Sequence, residues 1–418
     1  MSALLLLFLA SLGLDWPPLP GNARLAEVLF IPAAVAVAMA PGRWLRFHAL
    51  DAAVVAYVAA SAIGLIGSSD RGASAVELAR HAYLAGVYAL IALAIVRGLR
   101  RTVLAGFVSM GATLAAVGLG FALVFLIYPM TIPEAGAMMT LPYAGDLLRL
   151  RAFAASPTML ACVLIAALPF TFVTWSDKSI RARRAAAAAF AVMALALVLT
   201  FSHAWAGAAL AITVVSWPLL ARHRVLRVAS VAAVLLLTIA FNANLAASVR
   251  SVSIGQDVVR DAADYPYGVG EGTTRIGPIT IDYSIMSYLR TKQLALEAFA
   301  ARPLTGIGLD RFHDITRAAY RDGRLTHGYR EIDPHSALLG RLAETGIVGG
   351  LTLVVLWTTV FVIARPLVQW GGHDPWLARA ALAGFAGLLL VGVNVDIMNF
   401  RFLWAGIGVL RGLADGDA

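Results

Sequence analysis

The chain has 418 residues, of which 60% are hydrophobic and only 14% charged. A soluble globular protein carries roughly a quarter charged residues, so with a mean hydropathy of +0.80 the composition excludes a soluble domain and reads as a polytopic membrane protein. A net charge of +9 would suit a nucleic-acid binder, but its distribution along the chain argues otherwise. The single cysteine, Cys162, lies in an apolar run and excludes a disulfide framework or a cysteine metal site within one chain.

In chain order, the N-terminal stretch MSALLLLFLASLGLDWPPLP lacks a basic n-region and a small-residue cleavage site, so it reads as a short first membrane segment rather than a signal peptide. Twelve apolar segments follow a helical, membrane-spanning reading: 2–14, 25–40, 49–67, 76–96, 102–127, 152–175, 185–201, 204–220, 228–246, 345–364, 380–396 and 400–412. Several are shorter than the ~20 residues a perpendicular helix needs. The predicted fold class is all-α and polytopic, with about twelve transmembrane helices and one large helical periplasmic loop.

Basic residues test that count. Alternate loops hold Arg43 and Arg46; Arg97, Arg100 and Arg101; Lys178, Arg181, Arg183 and Arg184; Arg222, Arg224 and Arg227; Arg365 and Arg379. The short loops opposite hold only Arg24, Arg71, Arg149, Arg151 and Arg401. Cytoplasmic loops carry the excess of Lys and Arg, so both termini are expected in the cytoplasm. The positive charge is then mostly topology, and nucleic-acid binding drops out.

Residues 247–334 break the apolar pattern on the expected extracytoplasmic side. They carry eleven Lys/Arg and eleven Asp/Glu, and a long loop in a compact protein is more often functional than idle. Within it SIMSYLRTKQLALEAFAA has helical spacing that should stop before Pro303 and the Gly306/Gly308 turn, and DRFHDITRAAYRDGR suggests a second short helix. The organisation expected is therefore 1–246 as helices one to nine, 247–335 as the loop carrying the chemistry, and 336–418 as helices ten to twelve, in one integrated membrane domain.

A charge in or beside a membrane span is a functional candidate by default. His335 follows Asp333 and Pro334, which suit an N-cap and a first-turn position. An imidazole in that first turn could accept a proton from an incoming hydroxyl, and the helix dipole would favour its neutral form. The plainer alternative is an interfacial histidine that only hydrogen-bonds its neighbours. Arg290 lies on the amphipathic loop helix; its fork of donors fits phosphate oxygens, or it pairs with Asp or Glu on a solvated face. Arg151, ahead of a helix start at Ser156-Pro157, could serve a ligand or snorkel to headgroups. His203 sits in the tight turn of FSHAW, beside Trp205 of an expected aromatic belt. Arg341 and Glu344 are read as an i, i+3 pair that satisfies itself. The glycine-rich GVGEG (268–272) follows no strand and has little support as a phosphate loop. His313, His327 and His335 are spaced by fourteen and eight, which is no ligand signature, so no metal and no cofactor are expected.

The stretch RTKQLALEAFAARPLTGIGLDRF, followed by DPHSALLGRLAETGIVGG, resembles the signature of the O-antigen ligase and polymerase superfamily. There an Arg-led helix precedes a P-x-x-G-x-G turn, then a histidine followed by Asn or Ser, then E-x-G-x-x-G. Here these are similar to Arg290, Pro303 to Gly308, His335-Ser336 and Glu344 to Gly349. RAFAASPTMLA looks like a further family stretch, with alanine where glycine is common. The resemblance implies an inverting, metal-independent glycosyltransferase at the periplasmic face of the bacterial inner membrane. Its donor would be a glycan on undecaprenyl diphosphate and its acceptor lipid A-core for a ligase, or a second lipid-linked repeat for a polymerase. By that resemblance Arg290 binds the diphosphate and His335 is the base or the group that positions the acceptor. The family often has Ser-Arg where this chain has Ser202-His203; a histidine is no fixed cation, and Arg151 is the residue available to supply the missing charge. A lipid-linked glycan transporter or flippase would also have many spans, but the two similar halves common in transporters are absent from the sequence.

Overall fold

The computed structural model describes residues 2–15, 24–128, 134–141, 145–175, 179–221, 223–254, 271–276, 278–285, 287–325, 331–369 and 374–416. Lys178, Arg222, His327 and the first three residues of GVGEG lie outside them. The first half holds α1 (Ser2–Ser11), α2 (Leu25–Ala38), α3 (Ala49–Gly67), α4 (Arg71–Val96) and α5 (Arg100–Ile127). A hairpin, β1 (Gly136–Leu141) and β2 (Gly145–Leu150), leads to α6 (Pro157–Ala167), a short 3₁₀ turn, α7 (Thr171–Trp175), α8 (Ile180–Leu199), α9 (Trp205–Leu220) and α10 (Arg224–Ala246). Next come β3 (Ala247–Ile254), β4 (Glu271–Ile276), β5 (Ile279–Ile285), α11 (Ser287–Ala301) and α12 (Phe312–Arg321). The chain closes with α13 (Ala337–Leu367), α14 (Pro375–Val391) and α15 (Arg401–Gly416).

Each of the twelve apolar segments holds a helix, although 152–156 and 392–396 lie outside the helices, and the protein is mostly helical. Among the described residues, six helical segments are long and apolar enough to cross a membrane: α3, α4, α5, 157–174, α8 and α13. α1, α2, α9 and α14 are shorter apolar helices. The expected loop helices end where the breakers stand, α11 at Ala301 ahead of Pro303 and α12 at Arg321 ahead of Gly323. Two small sheets add strands on segments read as loop. One is the β1–β2 hairpin and the other an antiparallel sheet in the order β3-β5-β4. Both sit between helices.

Helix starts follow local chemistry. Ser156 accepts from Met159 N at 3.1 Å with Pro157 in the first turn, and Asp70 accepts from Ala73 N at 3.1 Å; each satisfies an amide that has no partner inside its helix. Helix pairs then close through small residues, because apolar lipid gives no solvent-driven attraction and backbones must approach closely to gain contact. On α15, Gly408 and Gly412 lie against α4; a Cβ at Gly408 would stand 2.5 Å from the Tyr88 carbonyl oxygen. Gly207 of α9 and Gly387 of α14 meet in the same way. Arg411 of α15 is fully buried, and its Nε donates to both carboxylate oxygens of Asp51 at 3.0 and 3.1 Å. Tyr88 Oη donates to the same carboxylate at 2.6 Å. A charge enters such a core only when paired and hydrogen-bonded, so this cluster fixes α15 to α3 and α4.

The site segment is anchored by an interlock of two glycines. α13 is broken at Gly346, where φ is 67° and ψ −163°. The turn after α11 runs through Gly306, φ 66°. A Cβ on Gly306 would land on the Glu344 carbonyl, and one on Gly346 on that of Leu304. The close approach is tied by Ile307 N donating to Ala343 O (2.9 Å), Gly308 N to Glu344 O (3.1 Å) and Ile347 N to Pro303 O (2.8 Å). Beside it Leu294, Ala295, Ala298, Phe312, Ala319, Leu325 and Ala343 bury one another, so α11 and α12 ride on the first part of α13.

Candidate active site

A cavity of about 370 Å³ opens between four parts of the chain. The start of α6 contributes Ala155, Ser156, Thr158 and Met159; the α8–α9 turn His203 and Ala204; the segment before α13 Asp333 and His335; the end of α14 and its link to α15 Val391, Asn394, Val395, Asp396 and Phe400. Two residues singled out from the sequence, His203 and His335, therefore face one space.

The expected position of His335 in the first helical turn needs correcting. Ser336 is the N-cap of α13, accepting from Leu339 N at 3.4 Å. His335 stands one residue before it with φ +48°, a left-handed conformation that a non-glycine residue keeps only when its surroundings impose it. They do so here: Asp333 Oδ1 accepts from His335 N at 2.8 Å, and Ala337 N donates to Gly392 O at 2.9 Å. Serine at the next position offers a better-placed cap oxygen than Asp333, whose carboxylate is used on the turn instead. Burial lowers the pKa of His335 from its ordinary value. The Asp333 carboxylate, 3.6 Å from Nδ1, and the Asn394 carbonyl act to raise it, while Lys292 acts with burial. The neutral form is therefore favoured, by desolvation rather than by a helix dipole.

His203 follows Phe201, φ +43°, in the α8–α9 turn. Ser202 holds that turn, with its Oγ 3.2 Å from Thr158 Oγ1 and accepting from Ala204 N at 3.3 Å. The pKa of His203 is lowered by burial first and by the positive charge of Arg149 second. Arg149 Nε donates to Thr200 O at 3.2 Å.

The two arginines expected at the site are not among the cavity-lining residues. Arg151 Nε donates to Ala154 O at 2.5 Å, and its backbone N to Ala135 O at 2.8 Å; it stabilises a corner at which Ala152 and Phe153 both have positive φ. Arg290 Nη1 donates to Gln293 at 2.9 Å and lies 3.9 Å from Glu297. Two residues on, Lys292 turns the other way. Its ammonium donates to Asn394 Oδ1 in the cavity wall, and burial lowers its pKa. The sequence reading passed over Lys292, Asn394 and Asp396. For Lys292 spacing gave no signal: Thr291, Leu294, Ala295 and Ala298, all buried, leave positions 290 and 292 on the two flanks of the packed face at nearly equal angles.

Residues 188–354 match the family model described as O-antigen ligase. The match supports the O-antigen ligase and polymerase superfamily for this chain. It covers His203, Arg290, Lys292, the Gly306–Gly346 interlock and His335, and leaves out Arg151 and the α14–α15 link. A comparison with curated proteins finds no match.

Proposed function

We propose that the chain is a glycosyltransferase that moves a glycan from undecaprenyl diphosphate to an acceptor hydroxyl in cell-surface polysaccharide synthesis, as an O-antigen ligase acting on lipid A-core. The observation that carries this reading is the convergence of His335 and His203 on one cavity within the segment that matches the family. The reading places the protein in the bacterial inner membrane with twelve crossings, both termini cytoplasmic and the cavity facing the periplasm, in line with the bias of Lys and Arg along the loops.

The chemistry asks for two things. The leaving group is a diphosphate, already activated, so its developing charge must be met by cations; the acceptor hydroxyl must lose a proton. In the proposed step the acceptor oxygen attacks the anomeric carbon while His335 takes its proton. The bond from that carbon to the phosphate oxygen breaks, and undecaprenyl diphosphate leaves with the electron pair, inverting the anomeric centre. Lys292 stands beside His335 as one cation, Arg290 is on the same helix as another, Arg149 acts on His203 by its charge, and Arg151 is a further cation at the corner ahead of α6. No residue role here calls for a metal.

Deleting the chain from its host and comparing lipid-linked with surface glycans tests the reading. A ligase deletion accumulates long polymer on the carrier lipid. Single repeats on the carrier would make the protein a polymerase, and unchanged glycans in both pools would overturn the proposal.

A further inference from the structure

The cavity wall holds a charged group that the proposed step does not use. Asp396, in the α14–α15 link, lines the cavity with His335. Arg341, near the start of α13 and 2% exposed, holds it from behind. Arg341 Nη2 donates to Asp396 Oδ2 at 2.9 Å, and Nη1 lies 3.4 Å from Glu344 and 3.2 Å from His81 Nε2. His81 is itself 3.0 Å from Ser61 Oγ. Side chains from α3, α4, α13 and the α14–α15 link thus meet around one guanidinium.

A guanidinium buried to this degree is costly unless its fork is filled by anions. Its geometry then fixes the partner as firmly as itself. On the other side of Asp396, Oδ1 accepts from Met398 N at 3.0 Å. Oδ2 also accepts from Asn399 Nδ2 at 3.5 Å, so Oδ1, with one protein donor, is the oxygen that retains acceptor capacity. A carboxylate at a cavity wall repels phosphate oxygens and accepts from hydroxyl groups. Neither of the cations that act on the two histidines, Lys292 and Arg149, is among the residues that line the cavity; Lys292 stands behind Asn394 of the same wall. Asp396 therefore offers an anionic acceptor directly to the space, suited to a polyol rather than to a phosphate.

We infer that Asp396 is a carbohydrate-hydroxyl subsite, aimed into the cavity by Arg341 as a positioning residue. The inference rests on the proposed glycan transfer. The hydroxyl belongs either to the donor glycan or to the acceptor, and the test separates them.

The full chain in lipid nanodiscs is titrated with undecaprenyl-diphosphate-linked glycan extracted from the deletion host, and separately with bare undecaprenyl diphosphate. The KM for acceptor is measured in the transfer reaction. Losing one hydrogen bond to a charged acceptor corresponds to about tenfold or more in affinity. Asp396→Asn is expected to weaken the glycan-linked lipid by about that factor if the donor is held, or to raise the acceptor KM by it if the acceptor is held. Binding of the bare lipid stays unchanged. Arg341→Lys keeps the charge but loses the fork; it should move the same parameter in the same direction, and the double variant should be no worse than Asp396→Asn alone. Asp396→Glu, which displaces the carboxylate by one methylene, serves where asparagine impairs folding and should show the same pattern. Unchanged glycan binding and acceptor KM in these variants, or equal weakening of both lipids, overturns the subsite. A wild-type chain that binds neither lipid overturns the proposed function and the subsite with it.

Discussion

Gly346→Ala should loosen the whole site from its scaffold. The backbone there has φ 67° and ψ −163°, a region open essentially to glycine alone and costing an alanine about 1–3 kcal/mol. The added Cβ would also meet the carbonyls of Leu304 and Pro303, which belong to main chain and cannot rotate aside as a side-chain tip could. Relief requires the turn to part from α13. That breaks up to three hydrogen bonds, Ile307 to Ala343, Gly308 to Glu344 and Ile347 to Pro303, at about 1 kcal/mol each. The expected loss is therefore between about 2 and 6 kcal/mol, according to how far the turn moves. Gly120→Ala is the control: it is exposed on α5 and a Cβ there meets nothing within 4 Å, so helix propensity alone leaves stability equal or slightly raised. Thermal unfolding of the two purified variants, followed by tryptophan fluorescence, makes the comparison. A Gly346→Ala midpoint equal to that of Gly120→Ala would refute the interlock.

Further outcomes concern the chemistry. His335→Ala should abolish transfer while the protein still inserts and purifies. Because burial lowers the pKa of His335 below 6.5, the base form persists at mildly acidic pH, and transfer should fall only as pH drops through that lowered value; an acid limb centred above pH 6.5 would contradict the assignment. Lys292→Gln should reduce transfer at least tenfold by removing the cation beside His335, and Arg290→Ala should weaken binding of undecaprenyl diphosphate; wild-type transfer by both would remove α11 from the mechanism. His203→Arg should retain activity if the turn holds a phosphate, and complete loss in that variant would point to another role for His203.

Much of the architecture is legible from apolar runs because a membrane helix must be continuously apolar and satisfies its own backbone. Caps and breakers placed α6, α11 and α12 to within a few residues. The strands were harder. ITIDYSI alternates cleanly over β5, but in β3 the register shifts between Val249 and Ser251, so Val249 and Val252 pair with Tyr283 and Ile281, two apart on β5, although they are three apart in sequence, and the period of two is lost. The glycines of the P-x-x-G-x-G and E-x-G-x-x-G stretches were visible as a pattern, whereas their mutual contact was not: it joins residues forty apart by a steric requirement that neither stretch states alone.

Arg341 shows where local reading stops. Its spacing to Glu344 predicts a self-contained pair, and the pair exists at 3.4 Å. Yet the shorter contact, 2.9 Å, goes to Asp396, fifty-five residues away. An i, i+3 pair on a wetted helix face contributes only a few tenths of a kcal/mol, about 0.2–0.5, and would leave a buried guanidinium under-satisfied. Burial demands more anions than the helix can offer from its own sequence. The fold answers by bringing the α14–α15 link to α13, and in doing so it brings a carboxylate to the cavity that His335 faces. The physical demand of one buried cation thus ties a scaffold contact to the shape of the site, which is why changing Arg341 should be read in binding and KM as well as in stability.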